Sequence, residues 1–139
     1  MVEIGRKYEI SSLTNAKVKF INSLSQRKYR RETNLFVAEG VRICKEALEN
    51  SWEIKYLLFD KSNKQNLIIE NLINQALSLG SDVVGVTSDI LTKISHKENP
   101  QNVLGVFAQR WSKLPKVVNA KIFVALECIR DPGNLGTIL

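Results

Sequence analysis

Short apolar runs alternate with segments of helical period along most of the 139-residue chain. The apolar runs occupy residues 35–38, 54–59, 83–86 and 103–109, and the helical segments occupy residues 41–48, 66–79 and 88–94. Apolar runs of about four to eight residues are typical of buried strands, and apolar residues spaced three or four apart are typical of helices. The alternation predicts an α/β fold with a mostly parallel sheet between helices.

A further helix is predicted over residues 12–31, with a basic polar side. Its apolar stripe consists of Leu13, Val18, Ile21 and Leu24, and its N-cap is one of Ser12, Thr14 or Asn15. These are residue types whose side-chain oxygen accepts from the first free N–H groups of a helix. Later in the chain, Gly80 follows the segment 66–79 and is predicted to end that helix.

The positive charge is concentrated at the start of the chain. Residues 1–31 hold eight basic and two acidic side chains, whereas residues 32–139 hold twelve of each, so the first segment carries the whole net charge of +6. An asymmetry of this kind favours a polyanion as partner.

Several classes of protein do not fit the composition. No apolar run approaches the roughly 20 residues of a membrane span, and the first residues lack the apolar core of a signal peptide, so we expect a cytoplasmic protein without membrane contact. The two cysteines, Cys44 and Cys128, are predicted to be reduced and buried, and the single histidine, His96, to lie in a polar loop. Three such side chains are too few for a structural zinc site, and no metal site is predicted.

The last 29 residues differ from the rest. Residues 111–119, which include Pro115, indicate a linker, and residues 122–126 are predicted to form a strand. A turn at 131–136 then precedes a helical pattern, with Asn134 placed to cap that helix or to offer its amide to a ligand. Residues 111–139 therefore indicate the opening of a second domain.

Three aromatic residues have open roles. Trp52 and Trp111 are predicted to pack in the core or linker, and Tyr29 either packs against the protein or stacks on a base of a polyanion partner.

The string ALECIRDPGNLGTIL resembles the first signature motif of the SpoU (TrmH-like) branch of the SPOUT RNA methyltransferases. Upstream, the order of segments is similar to the substrate-binding domain that precedes the catalytic domain in many members. The matching segments are Ile10-Ser11-Ser12 with Asn15 and Lys17-Val18-Lys19, Arg27-Lys28 with Arg30, Phe36-Val37-Ala38-Glu39-Gly40 with Arg42, and residues 99–106, where the family often has Gly at the position of Asn102. The resemblance covers essentially the whole chain.

This resemblance implies a domain organisation. Residues 1–110 would form an L30e/L7Ae-like α/β/α sandwich that binds RNA, residues 111–119 a linker, and residues 120–139 the truncated start of a knotted SPOUT domain. The family transfers a methyl group from S-adenosylmethionine to a ribose 2′-hydroxyl. Asn134 matches its catalytic Asn, and the Arg that activates the hydroxyl would fall one position beyond Leu139. The cofactor site is expected in the missing C-terminal region. The intact protein is expected to be a homodimer, and this piece monomeric.

The candidate RNA-binding residues follow from the basic cluster and from the matched motifs. They are Lys17, Lys19, Arg27, Lys28, Arg30, Arg31, Glu39 and Arg42. The favoured function is the N-terminal part of an RNA 2′-O-ribose methyltransferase that acts on rRNA rather than tRNA, able to bind RNA but inactive alone. The alternatives are a non-enzymatic RNA-binding protein of the L7Ae/L30e type and a protein–protein adaptor.

Overall fold

The fold is that of a computed structural model, which describes residues 4–63, 66–113 and 124–138. The strands are β1 (Lys7–Ile10), β2 (Leu35–Glu39), β3 (Ile54–Asp60), β4 (Asp82–Val86) and β5 (Val103–Ala108). The helices are α1 (Ala16–Ser23), α2 (Arg27–Thr33), α3 (Val41–Glu49), α4 (Leu67–Ser78), α5 (Ser88–Ser95) and α6 (Pro132–Ile138), with a 3₁₀ turn at Lys61–Asn63. The predicted α/β class is confirmed.

The five strands form one sheet in the order β1-β4-β3-β5-β2. Strands β1, β4 and β3 are parallel neighbours, whereas β5 runs antiparallel to both β3 and β2. Strand β2 therefore runs in the same direction as β1, β4 and β3, and the prediction of a mostly parallel sheet holds for every strand except β5. Residues 96–102 bring the chain back to the carboxyl end of β3, where the Asp60 N–H donates to the Asn102 carbonyl, so β5 starts from that end. Hydrophobic periodicity carries no information about strand direction.

Two hydrophobic clusters lie on opposite faces of the sheet. Cys44 and Leu48 of α3 and four residues of α4 pack on one face, and Val18 and Ile21 of α1 pack with three residues of α5 on the other. The sheet contributes to both clusters, since successive side chains of a strand point to opposite faces. The result is the α/β/α sandwich that the resemblance implies.

Helix α4 shows how closely local signals specify an element. The Asn66 side chain accepts from the backbone N–H groups of Ile68 and Ile69, which caps the first turn. At the other end, Gly80 has a φ of 80°, its N–H donates to Leu77, and the Ser81 N–H donates to Ala76. This pair of bonds is a Schellman motif, and it confirms the predicted helix end.

The predicted single helix over residues 12–31 is two helices, α1 and α2. Asn15 caps α1 through the Lys17 N–H, which is one of the three predicted options. The hydroxyls of Ser23 and Ser25 then donate to the carbonyls of Phe20 and Asn22. Serine side chains that bond to local carbonyls compete with helix continuation, which accounts for the break. Strand β1, whose sequence KYEI is largely polar, has no counterpart in the predicted elements.

The C-terminal segment departs from its predicted structure. Residues 124–130 contain no strand, so the predicted strand over 122–126 is wrong over its described part. A strand is stabilised through a neighbouring strand, and residues 124–126 pair with no strand in the described part of the chain. Cys44 is buried as expected, whereas Cys128 is exposed in this segment, contrary to the prediction. Residues 114–119 of the linker lie outside the described residues, and the domain boundaries stay predictions.

Candidate nucleic-acid interface

The solvent face of α2 carries three of the predicted RNA-binding residues side by side. Arg27, Lys28 and Arg31 line one open depression together with Glu32. No residue of α2 is buried. The Lys28 ammonium lies 4.0 Å from the Glu32 carboxylate, an exposed pair of the i,i+4 type, which contributes little to stability. The cations of this α2 basic face, defined by Arg27, Lys28 and Arg31, are therefore accessible to a phosphate backbone.

Arg30 points away from that face. Its guanidinium donates to the carbonyl of Leu24 at 2.9 Å and to that of Ser25 at 2.5 Å. These carbonyls lie just after α1, where the last turn of a helix leaves acceptors without partners. Arg30 therefore stabilises the junction between α1 and α2.

Lys17 is held inside a network of internal partners. Its ammonium donates to the Tyr8 hydroxyl, lies 3.3 Å from the Asp82 carboxylate and sits 4.3 Å from the centroid of the Tyr56 ring. The Lys17 side chain is 26% exposed and the Asp82 side chain 15%. The guanidinium of Arg6 approaches the same carboxylate at 3.3 Å. The network joins β1, α1, β3 and β4.

The ionisation of this network follows from its contacts. Burial alone would lower the pKa of Lys17, but hydrogen bonds to Tyr8 and Asp82 outweigh it, and the pKa is raised above the ordinary lysine value. Burial would likewise raise the pKa of Asp82, yet donation from Arg6 and Lys17 lowers it. Both groups are therefore charged at neutral pH.

Lys19 and Arg42 are exposed, on α1 and on the first turn of α3. Neither lines the depression beside α2. The structure thus brings together Arg27, Lys28 and Arg31, while RNA contact by all eight predicted residues stays a prediction.

Glu39 braces the connection that leads into β5. One carboxylate oxygen accepts from the Gln101 N–H at 2.8 Å, and the other lies 2.7 Å from the Lys97 ammonium. The Glu39 side chain is 13% exposed, and its Lys97 partner is largely exposed. Both oxygens are engaged within the domain, where they secure the turn before β5.

Asn134 lies inside α6 rather than at its cap. Asp131 caps this helix, because its carboxylate accepts from the Asn134 N–H at 2.8 Å and Pro132 occupies the first helical position, which favours proline. A Cβ on Gly133 would lie 2.9 Å from the same carboxylate oxygen, so a larger residue would press on the cap. The side chain of Asn134 is exposed.

Asp60 is a buried carboxylate that sequence reasoning did not single out. It is 6% exposed and accepts from the Ser62 N–H and hydroxyl and from the Ser88 hydroxyl, at 2.7–2.9 Å. Burial would raise its pKa, but these hydrogen bonds lower it. An Asp at the end of an apolar run, with Ser two positions later, indicates such a turn. Its oxygens are satisfied, so it orders the end of β3.

Two further findings concern the described part of the chain. Within residues 4–63, 66–113 and 124–138, no helix is long and apolar enough to cross a membrane. Across those same ranges, no three His, Cys, Asp or Glu side chains are grouped so that they could hold a metal ion.

The known proteins to which the chain is similar are RNA methyltransferases. A family model described as the MRM3-like substrate binding domain matches residues 15–105. The chain is 29% identical to the 23S rRNA (guanosine(2553)-2′-O)-methyltransferase RlmP of Bacillus subtilis, over 94% of this chain and 48% of that protein. The chain spans about half the length of the first curated relatives it matches.

Solved structures agree with the family model. An rRNA methyltransferase from Sinorhizobium meliloti is 36% identical and superimposes with a TM-score of 0.70, over 78% of this chain and 39% of that chain. A structure of an rRNA methyltransferase from the same organism with AdoMet bound matches to the same extent. The similarity therefore extends through most of the α/β/α sandwich.

Proposed function

The chain belongs to the MRM3-like substrate-binding domains of the SpoU (TrmH-like) RNA methyltransferase family, and from this we propose that it recruits RNA for an rRNA 2′-O-ribose methyltransferase. The observation that carries the proposal is the family match over residues 15–105. The α2 basic face is the surface that we assign to the RNA backbone. In the proposal the protein acts in the cytoplasm on rRNA rather than tRNA, and residues 1–110, 111–119 and 120–139 are its substrate-binding domain, linker and first catalytic segment.

The chemistry of the α2 basic face suits this role. Arginine and lysine neutralise phosphates and release counterions, which gives an affinity that falls steeply with salt and depends little on sequence. Such contacts position an RNA without reading its bases. The chain would therefore bring rRNA to a catalytic site and leave the choice of nucleotide to other contacts.

S-adenosylmethionine, which we propose as the cofactor of the intact protein, does not fit the described residues by themselves. A bound cofactor of this size is largely enclosed by protein, whereas residues 124–138 are exposed throughout. We therefore derive no methyl-transfer step from them, and the assignment of Asn134 as a catalytic residue stays a prediction. Calorimetry with S-adenosylmethionine tests this point. We expect no micromolar binding by the 139-residue chain, and such binding would contradict the proposal that its site lies elsewhere.

The RNA-binding proposal is tested with a matched pair of lysines. Lys28 and Lys45 are both exposed and each lies within 4.0 Å of a glutamate four residues later on its helix. We expect Lys28→Glu to weaken binding of a labelled rRNA hairpin and to reduce the salt slope of log K by roughly 0.7–0.9, as for one lost phosphate contact. Lys45→Glu, on α3, should leave both unchanged. Equal effects of the two variants on RNA binding would contradict the assignment of α2 as the RNA-binding face.

The preference for rRNA and the state of association are tested in the same preparation. We expect an rRNA hairpin to compete for the labelled RNA better than a tRNA does, and equal competition would contradict the rRNA assignment. We also propose that the homodimer of the intact protein is built by its catalytic domain, so light scattering should show the 139-residue chain as a monomer, and a dimer would contradict this.

A further inference from the structure

A groove lined by aromatic rings lies where β5 ends, next to the start of β2. Its lining residues are Arg30, Phe36, Trp52, Gln109, Arg110 and Trp111, and we refer to them as the aromatic groove. Its volume of about 340 Å³ lies within the range of small-molecule sites, roughly 300–1,000 Å³. Among the described residues, no lining side chain is acidic and Arg110 supplies a guanidinium, so the groove suits a flat ligand that carries negative charge.

Trp111 is the exposed wall of this groove. It is 82% exposed, which contradicts the predicted packing role. Its indole N–H donates to the Gln109 side-chain oxygen at 3.2 Å. The amide nitrogen of Gln109 in turn donates to the carbonyls of Arg30 and Leu35, at 3.3 and 3.4 Å. A large apolar ring is thus presented to water and held by a side chain that is itself anchored to α2 and β2.

Trp52 and Phe36 form the fixed part of the groove. They are partly buried against the cluster beneath α3 and α4. Their rings meet edge to face, with centroids 5.6 Å apart and planes at 78°. The Arg110 guanidinium lies 5.2 Å from the Trp52 centroid, and one of its N–H groups donates to the Asn50 carbonyl. The packing role predicted for Trp52 is therefore confirmed, and Arg110 has a defined position beside the rings.

We propose that the aromatic groove binds an unpaired nucleobase of the RNA, stacked on the Trp111 indole with its phosphate beside Arg110. The proposal rests on the proposed RNA-binding function and adds a second contact to it. Aromatic side chains accept any base, because every base has a π face. Charge complementarity selects this occupant, since the Arg110 guanidinium at the groove matches a phosphodiester. Arg30 belongs to α2, so the groove and the α2 basic face adjoin the same helix.

Intrinsic fluorescence tests the proposal, because Trp52 and Trp111 are the only tryptophans of the chain. The 139-residue chain is titrated with a single-stranded oligonucleotide and with a duplex of the same sequence. We expect the single strand to quench Trp111 emission and the duplex to leave it nearly unchanged. Trp111→Ala should weaken single-strand binding roughly 5- to 150-fold, the range that corresponds to loss of one stacked base. Trp111→Phe should recover most of that affinity.

One control variant and three outcomes make failure unambiguous. Leu67→Ala is the control: Leu67 is another largely exposed apolar residue, at 74%, and its truncation should leave RNA affinity unchanged. If Trp111→Ala binds the single strand as well as the unaltered chain while Lys28→Glu still weakens binding, the base site is wrong and the proposed function stands. If the chain binds no RNA even at low salt, both fail. Poor access of a soluble quencher to Trp111 in the free chain, with affinity unaffected by Trp111→Ala, would assign the groove to a protein contact instead.

Discussion

Helices α1 and α2 follow each other directly in the chain and carry the same kind of charge, yet they use it differently. Val18 and Ile21 of α1 are buried, and its Lys17 ammonium is engaged with internal partners. Helix α2 buries no residue, and Arg27, Lys28 and Arg31 line an open depression. A basic run in a sequence therefore mixes side chains that build the fold with others that remain available to a partner. Only their surroundings separate the two kinds.

The largest effect should separate Lys17 from Lys28. We expect Lys17→Glu to reduce the free energy of unfolding by about 3 kcal/mol, because it places a second carboxylate against the partly buried Asp82. Lys28→Glu should change it by less than about 0.5 kcal/mol, as is usual for exposed positions. Urea unfolding measures both. A loss from Lys28→Glu as large as that from Lys17→Glu would remove the distinction between the two helices.

The next effect should separate the neighbours Arg30 and Arg31. Arg30→Met removes two hydrogen bonds to the Leu24 and Ser25 carbonyls and should cost about 1–2 kcal/mol of unfolding free energy. Arg31→Met should cost little stability but weaken RNA binding, since Arg31 lies on the α2 basic face. The two variants are compared by urea unfolding and RNA titration. The reverse pattern would show that Arg30, not Arg31, faces the RNA.

Acid should weaken the network around Lys17 through protonation of Asp82. The pKa of Asp82 is lowered in the folded chain, so the unfolded chain binds more protons near the ordinary aspartate pKa of about 3.9. The stability from Asp82 is thus present above that value and lost as the pH falls through the lowered pKa. Alkali acts through Lys17, whose pKa is raised in the folded chain. The stability that Lys17 contributes is present below the ordinary lysine pKa and is lost as the pH rises through the raised pKa.

The Asp82→Asn variant isolates this dependence. It should flatten the acid side of the stability profile measured by urea unfolding between pH 2 and 6, leaving the slope that Asp60 contributes through its own lowered pKa. An unchanged acid slope in Asp82→Asn would show that the carboxylate is not coupled to folding.

The smallest effect concerns Glu39, a predicted RNA contact that braces the turn before β5. Glu39→Gln keeps the shape but removes the charge opposite Lys97, and should cost about 1 kcal/mol. Glu49→Gln is the exposed control, with an expected change below about 0.5 kcal/mol. A large loss of RNA affinity in Glu39→Gln without a loss of stability would support Glu39 as an RNA contact.

The sequence predicted helices and strands best where the signals are local. The cap at Asn66 and the glycine at 80 place the ends of α4, and the apolar runs locate β2, β3, β4 and β5. The resemblance to the SpoU family, read from short motifs, is confirmed by the family match. Strand β1 was missed because four partly polar residues carry no pattern, and they become a strand only by pairing with β4.

The candidate site was harder to predict than the fold. Asp82 contacts Lys17 across 65 positions, and no local pattern reports a partner at that distance. Tryptophan is a residue type that usually packs at least partly in a core, and the exposure of Trp111 depends on the groove formed with α2 and β2.

The amino-acid sequence by itself determined which segments become helices and strands, the concentration of positive charge in the first 31 residues, and the family, since each of these depends on residues close together in the chain. The tertiary structure decided the direction of β5, the division of the basic residues between Lys17 and the α2 basic face, and the assembly of the aromatic groove. These depend on contacts between distant residues, where burial and hydrogen bonding set both the position and the ionisation of each side chain.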